Sequence, residues 1–141
     1  MDNQGWTIGQ WLSAYVIALL VMGALDGLWL GWLAKALYQR EMGDLMAASP
    51  RLIPAGSFYV AYPLAVVFFG LMPSSRPAEA FLRCAALGLT AYATYNLTCM
   101  SIVRGFSAYL GVVDMAWGTF ATGVAGTLAF SAVRGWALRS G

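Results

Sequence analysis

The chain has 141 residues, 60% hydrophobic and 10% charged, with a net charge of +2. Soluble domains carry about 25% charged and about 45–50% apolar residues, so this composition excludes one and makes a lipid bilayer the first partner of a single integral membrane domain, 1–141. Eight Lys and Arg residues spread singly form no basic stripe, which excludes nucleic acid, and the absence of histidine removes haem, di-iron and zinc sites that need it, leaving no metal or other cofactor to expect.

Four apolar segments, near 10–34, 54–72, 81–103 and 108–132, each approach the roughly 20 residues that a bilayer core requires. The expected fold is all-α, an antiparallel bundle of four transmembrane helices. The opening MDNQGWTIGQ has no positive n-region and no cleavage pattern, so the first segment reads as a retained span. It contains GALDGLWLGWL, which sets Asp26 among apolar residues on a face shared with Met22 and Trp29. The only lysine, Lys35, ends this span, where a retinal-type Schiff base has no place.

The link from Lys35 to Arg51 carries Arg40, Glu41, Asp44 and Ser49-Pro50, and is long enough for a short interfacial helix. The second span holds Tyr59 and Tyr62 in its first half, and Pro63 denies a hydrogen bond to the Tyr59 carbonyl. In the next link, MPSSRPAEA, Pro77 and Glu79 suit the first turn of a helix. The third span aligns Tyr92, Asn96, Cys99 and Val103 on one stripe, with Tyr95 and Thr98 at similar depth. Cys84 and Cys99 lie on this helix about 22 Å apart, too far to bridge, and Cys99 reads as an apolar filler. Arg104-Gly105 makes a short turn into the fourth span, where LGVVDMAWGTF places Asp114 beside Trp117 and Gly118.

Because spans alternate in direction, Asp26, Tyr59, Tyr62, Tyr95, Asn96, Thr98 and Asp114 converge roughly 5–15 Å below one membrane face, with Tyr92 on the stripe of Asn96. A carboxylate well inside a bilayer costs at least about 2.5–3.5 kcal/mol, so it is kept for a partner or a task. Two readings stand side by side. The acids cap tyrosine, tryptophan or Arg104 donors and lock the helices together, or they serve a ligand, a proton or an ion. Likewise the tyrosines either pack with satisfied hydroxyls or take part in binding. Glycines at four-residue spacing (Gly23, Gly27, Gly31 and Gly118, Gly126 with Thr122) suit close helix packing, within the chain or between copies. Asp-x-x-Trp recurs at 26–29 and 114–117, and Tyr-x-x-Tyr at 59–62 and 92–95, in an order that a duplicated hairpin does not produce.

Trp6, Trp11, Trp32, Tyr38, Tyr109 and Trp136 fall near predicted span ends, where amphipathic rings favour the interface. Lys35, Arg40, Arg51 and Arg104 lie on one side and Arg76, Arg83, Arg134 and Arg139 on the other, so charge does not orient the chain. An even number of spans puts both termini on the same side.

LDGLWLG followed by YQRE, then FYVAYPLAVVFFG, AYATYNLT and VVDMAWGT, run in order across about 20–119. In these segments the chain resembles a family of bacterial predicted membrane proteins, domain of unknown function 2177. The resemblance implies four spans and an inner-membrane location, and supplies no activity. The family motif more usually reads Tyr-Asp-Leu-Thr-Asn where this chain has Asn96 and Cys99, so a mechanism needing a third carboxylate there lacks it. Three functions fit. The first is a pocket for a small molecule or lipid headgroup, extending to a lipid-modifying enzyme, with Asp26 and Asp114 as acid/base or orienting groups and Trp29 and Trp117 as walls. The second is an accessory or assembly subunit that meets a membrane-protein partner. The third is a proton- or ion-coupled carrier working as a homodimer.

Overall fold

The computed structural model describes residues 5–46 and 51–139, with side chains as far as residue 135. Ser49-Pro50 of the first link and the side chains of Trp136 and Arg139 therefore lie outside the described residues. Among the described residues every regular element is helical. The elements are α1 (Ile8–Leu28), α2 (Lys35–Met42), α3 (Leu52–Ala65), α4 (Pro77–Ile102) and α5 (Ala108–Arg139), with π-helical segments Trp29–Leu33 and Val66–Leu71 extending α1 and α3.

A capping box opens α1. The Gln10 amide donates to the Thr7 hydroxyl and the Thr7 amide to the Gln10 side chain, both at 3.1 Å. The buried residues of α1 are Ala14, Ala18, Met22 and Asp26, one stripe at four-residue spacing. Apolar residues outside the stripe, such as Leu12, Val16 and Leu20, stay exposed. The helix is apolar all round and buries one face, as a span bordering lipid does. In α3, Pro63 is buried inside the helix, and the segment continues in π register from Val66. Loss of the proline N–H and a wider turn just beyond it are recognised causes of helix bending. The Tyr15 hydroxyl donates to the Val60 carbonyl at 2.9 Å, tying α1 to α3 beside that proline.

Pro77 begins α4 with its missing N–H at a position that has no intrahelical partner. Glu79 follows in the first turn. It accepts from the Ser75 amide and hydroxyl, both at 2.9 Å, and from Arg83 at 3.1 Å, which hold its carboxyl below the usual range. α5 packs most extensively on α4 and then on α1, and also meets α2 and the π segment Val66–Leu71. Small residues build this seam. Ala121, Ala125 and Ala129 are fully buried on α5, and Cys84 of α4 is buried beside Gly70 and Gly126, where an added Cβ would strike its sulfur. Gly88 faces the Gly118 carbonyl and Thr122, so the α4 and α5 backbones run close. The spaced glycines, expected to serve packing within the chain or between copies, divide here. Gly118 and Gly126 meet neighbours, whereas Gly23, Gly27 and Gly31 have nothing within 4 Å.

Among the described residues three helices are long and apolar enough to cross a membrane: Ile8–Leu33, Leu52–Leu71 and Ala108–Gly135. At 26 residues α4 is long enough and more polar. Three of its hydroxyls turn back on their own helix: Thr90 donates to the Ala86 carbonyl at 2.8 Å, Thr94 to Thr90 at 2.6 Å and Ser101 to Leu97 at 3.0 Å. At the opposite end of α5, Trp6 lies 6.4 Å from Phe130 and under the Arg134 guanidinium, 5.4 Å from its ring.

Candidate functional site

The α1 stripe delivers Asp26 to the interior, 5% exposed, where two donors from other helices meet it. The Trp117 indole N–H donates to one carboxylate oxygen at 2.9 Å, and the Tyr59 hydroxyl to the other at 2.8 Å. Asp114 of α5, 8% exposed, accepts from the Tyr38 hydroxyl at 2.5 Å and from the Asn96 amide at 2.8 Å. Asn96 also donates to the Tyr92 carbonyl at 2.9 Å, which fixes the orientation of its amide. Each acid is thus held by two donors from two elements other than its own, and all five helices contribute.

Glycines on α5 let α4 come this near. A Cβ at Gly111 would collide with the end of the Met100 side chain, and one at Gly118 would enter the Tyr92 ring. Asp114 lies between them in sequence, level with the α4 side chains that reach it. Deeper in the protein, Tyr62 shares a 2.8 Å hydrogen bond with Thr122, and its ring meets Tyr92 edge-on at 6.4 Å.

The two Asp-x-x-Trp segments meet in space. Trp29 and Trp117 stack at 4.5 Å with planes 5° apart. The resemblance between them stops at hydrogen bonding, because Trp117 donates to Asp26 while the buried Trp29 indole nitrogen has no partner, the one such side-chain atom among the described residues.

Asp26 and Asp114 border one partly open cavity of about 340 Å³, walled by Tyr38, Phe58, Tyr59, Tyr92, Tyr95 and Trp117 with Leu30 and Ala91. Of the residues expected at the site, Asp26, Tyr59, Tyr92, Tyr95, Asp114 and Trp117 line this cavity. Trp29 and Asn96 support it from behind through Trp117 and Asp114, and Tyr62 belongs to the deeper layer. Thr98 and Arg104 are exposed and stand outside the lining, and neither acid forms an ion pair among the described residues.

Tyr38 is the residue that sequence reading missed. It was expected at the interface as an amphipathic ring, and α2 turns it inward onto Asp114. Its one sequence signal is that it is the only aromatic in the polar helix KALYQREM. Burial and then the bond to Asp114 raise its phenol above the ordinary value of 10.0. A raised tyrosine value favours the protonated donor in the folded chain. Its stabilisation is therefore complete below pH ~10 and is lost only as pH rises through the raised value. Tyr38→Phe is expected to cost about 1–2 kcal/mol and to speed amide exchange in α2 by about 5–30-fold, read by hydrogen exchange in detergent at neutral pH.

The family model described as "Predicted membrane protein (DUF2177)" matches residues 11–131. No curated protein and no solved structure matches the chain.

Proposed function

The chain belongs to that family of predicted membrane proteins, and from its buried acids we propose an integral membrane protein whose intramembrane pocket binds a small molecule or a lipid headgroup. One observation carries the reading: the two acids border an open volume of about 340 Å³. Acids retained only to lock helices would have their layer packed shut, as the seam of small residues on the other half of α5 is. Pockets of roughly 300–1,000 Å³ with apolar walls and a few converging polar groups are the usual form of a small-molecule site.

In this reading the protein is one domain of four antiparallel spans in a bacterial inner membrane, with both termini on the same side and α2 lying at the interface. Support for α4 as the fourth span comes from its length and from hydroxyls that need no water. Ala91→Phe tests the pocket, because Ala91 lines the cavity and neither acid bonds to it. An experimental structure of protein extracted without delipidation should show density touching both acids in the wild type and none in Ala91→Phe. Empty cavities in both would overturn the reading.

A second reading has its own observation. Gly23, Gly27 and Gly31 offer an open small-residue track on α1, the form in which one membrane helix receives another. As a homodimer, the chain carrying Gly27→Cys should form a disulfide between copies through that face when a mild oxidant is added, read on a non-reducing gel.

A further inference from the structure

Resting on the pocket reading, we infer that the group received between Asp26 and Asp114 is an organic ammonium. The first observation is a missing counter-charge. Among the described residues the only ion pairs join Arg40 to Glu41 and Arg83 to Glu79, and no lysine or arginine lines the cavity. The acids are met by neutral donors alone: two phenols, an indole and a carboxamide. A carboxylate accepts at about four lone-pair positions, and each of these uses two. The wall thus offers unsatisfied acceptors and no cationic group, and the charge it carries when its acids ionise is negative, which repels phosphate and carboxylate ligands and attracts a cation.

The second observation is the chemistry of the other walls. Trp117, Tyr59, Tyr92, Tyr95 and Phe58 surround the acids with aromatic rings. Aromatic faces attract cations, and cages of such rings are the recurrent way in which alkylated ammonium groups are held. A bare divalent metal fits less well. Hard dications take six to eight oxygen ligands, and the described residues contain no group of three or more His, Cys, Asp or Glu side chains placed to hold one. The size agrees, since about 340 Å³ accommodates a substituted ammonium with a short polar arm.

This chemistry is shared by free amines and by aminolipid headgroups. The test uses the full chain in phosphatidylglycerol nanodiscs, titrated with choline, with ethanolamine and with 3,3-dimethylbutan-1-ol, the uncharged counterpart of choline, and read by tryptophan emission. In parallel, protein extracted from mixed phosphatidylethanolamine and phosphatidylglycerol membranes is examined by native mass spectrometry for retained lipid. Saturable binding of choline or ethanolamine about tenfold or more tighter than the alcohol, weakened about tenfold or more by Asp26→Asn or Asp114→Asn, supports the assignment. Retained phosphatidylethanolamine that the free amines displace identifies a lipid headgroup, and amine binding without such retention identifies a soluble amine. Ala91→Phe abolishes binding while both acids remain, so the result does not hang on acid variants that fold poorly. Equal binding of choline and the alcohol, or selective retention of phosphatidylglycerol, overturns the ammonium assignment and leaves the pocket standing. No saturable ligand in any arm, with Ala91→Phe indistinguishable from the wild type, overturns both.

Discussion

Asp114→Ala is expected to destabilise the protein by about 2–5 kcal/mol, because the buried Asn96 amide and the half-buried Tyr38 hydroxyl lose their acceptor together. The Tyr38 hydroxyl and the Asn96 amide both end on this carboxylate, and a buried donor left without a partner costs about 1–3 kcal/mol. Asp114→Asn should cost less, about 1–2 kcal/mol, since its carbonyl oxygen still accepts one of the two bonds. Removing donors along with the acceptor separates architecture from ligand binding. The triple change Asp114→Leu, Asn96→Leu, Tyr38→Phe strands no polar group, and should recover most of the thermal stability that Asp114→Ala loses. It should still fail to bind a ligand in the cavity. Thermal unfolding in detergent and a binding titration on the same samples read the two effects independently.

Gly88→Val should be at least as damaging, about 3 kcal/mol or more. Overpacking usually costs about 1–3 kcal/mol where neighbouring side chains can yield. Here a Cβ would meet the Gly118 carbonyl and Thr122. A backbone oxygen inside a helix cannot turn aside, so α4 and α5 must separate along their seam. Gly27→Ala is the matched control, because nothing lies within 4 Å of that position. It should stabilise the monomer by about 0.4–1 kcal/mol through the lost flexibility of the unfolded chain. Unfolding midpoints of the two variants in detergent check both signs.

The positions of three candidate spans were legible because a bilayer imposes a length and a composition together. α1 with its π extension, α3 with its own, and α5 begin and end close to the apolar segments. Asp26 and Asp114 stood out because charge in a span is costly, and Asn96 because it shares a stripe with Tyr92. Depth was easier to read than azimuth. Counting residues placed Thr98 at the level of Asn96, but two positions rotate a helical side chain by about 200°, and Thr98 is exposed. Arg104 was within reach of Asp114 by rise along the chain, and it too faces outward. Tyr38 escaped because α2 lies outside the apolar segments, and its fold-back onto α5 is a tertiary event with no local periodicity. The π segments escaped for a related reason: a shift in hydrogen-bond register leaves hydropathy unchanged. Glycine spacing looked the same on α1 as on α5, and only the presence or absence of a neighbour distinguishes Gly27 from Gly118.

The back-bonded hydroxyls of α4 change what polarity means for that helix. A transfer scale charges every threonine and serine as though its oxygen arrived in hydrocarbon bare, yet Thr90, Thr94 and Ser101 each arrive with the proton already spent on a carbonyl of the preceding turn. What acyl chains would touch along that surface is then chiefly methyl and methylene. Set in hydrocarbon, α4 would then be nearly as greasy as the three more apolar helices.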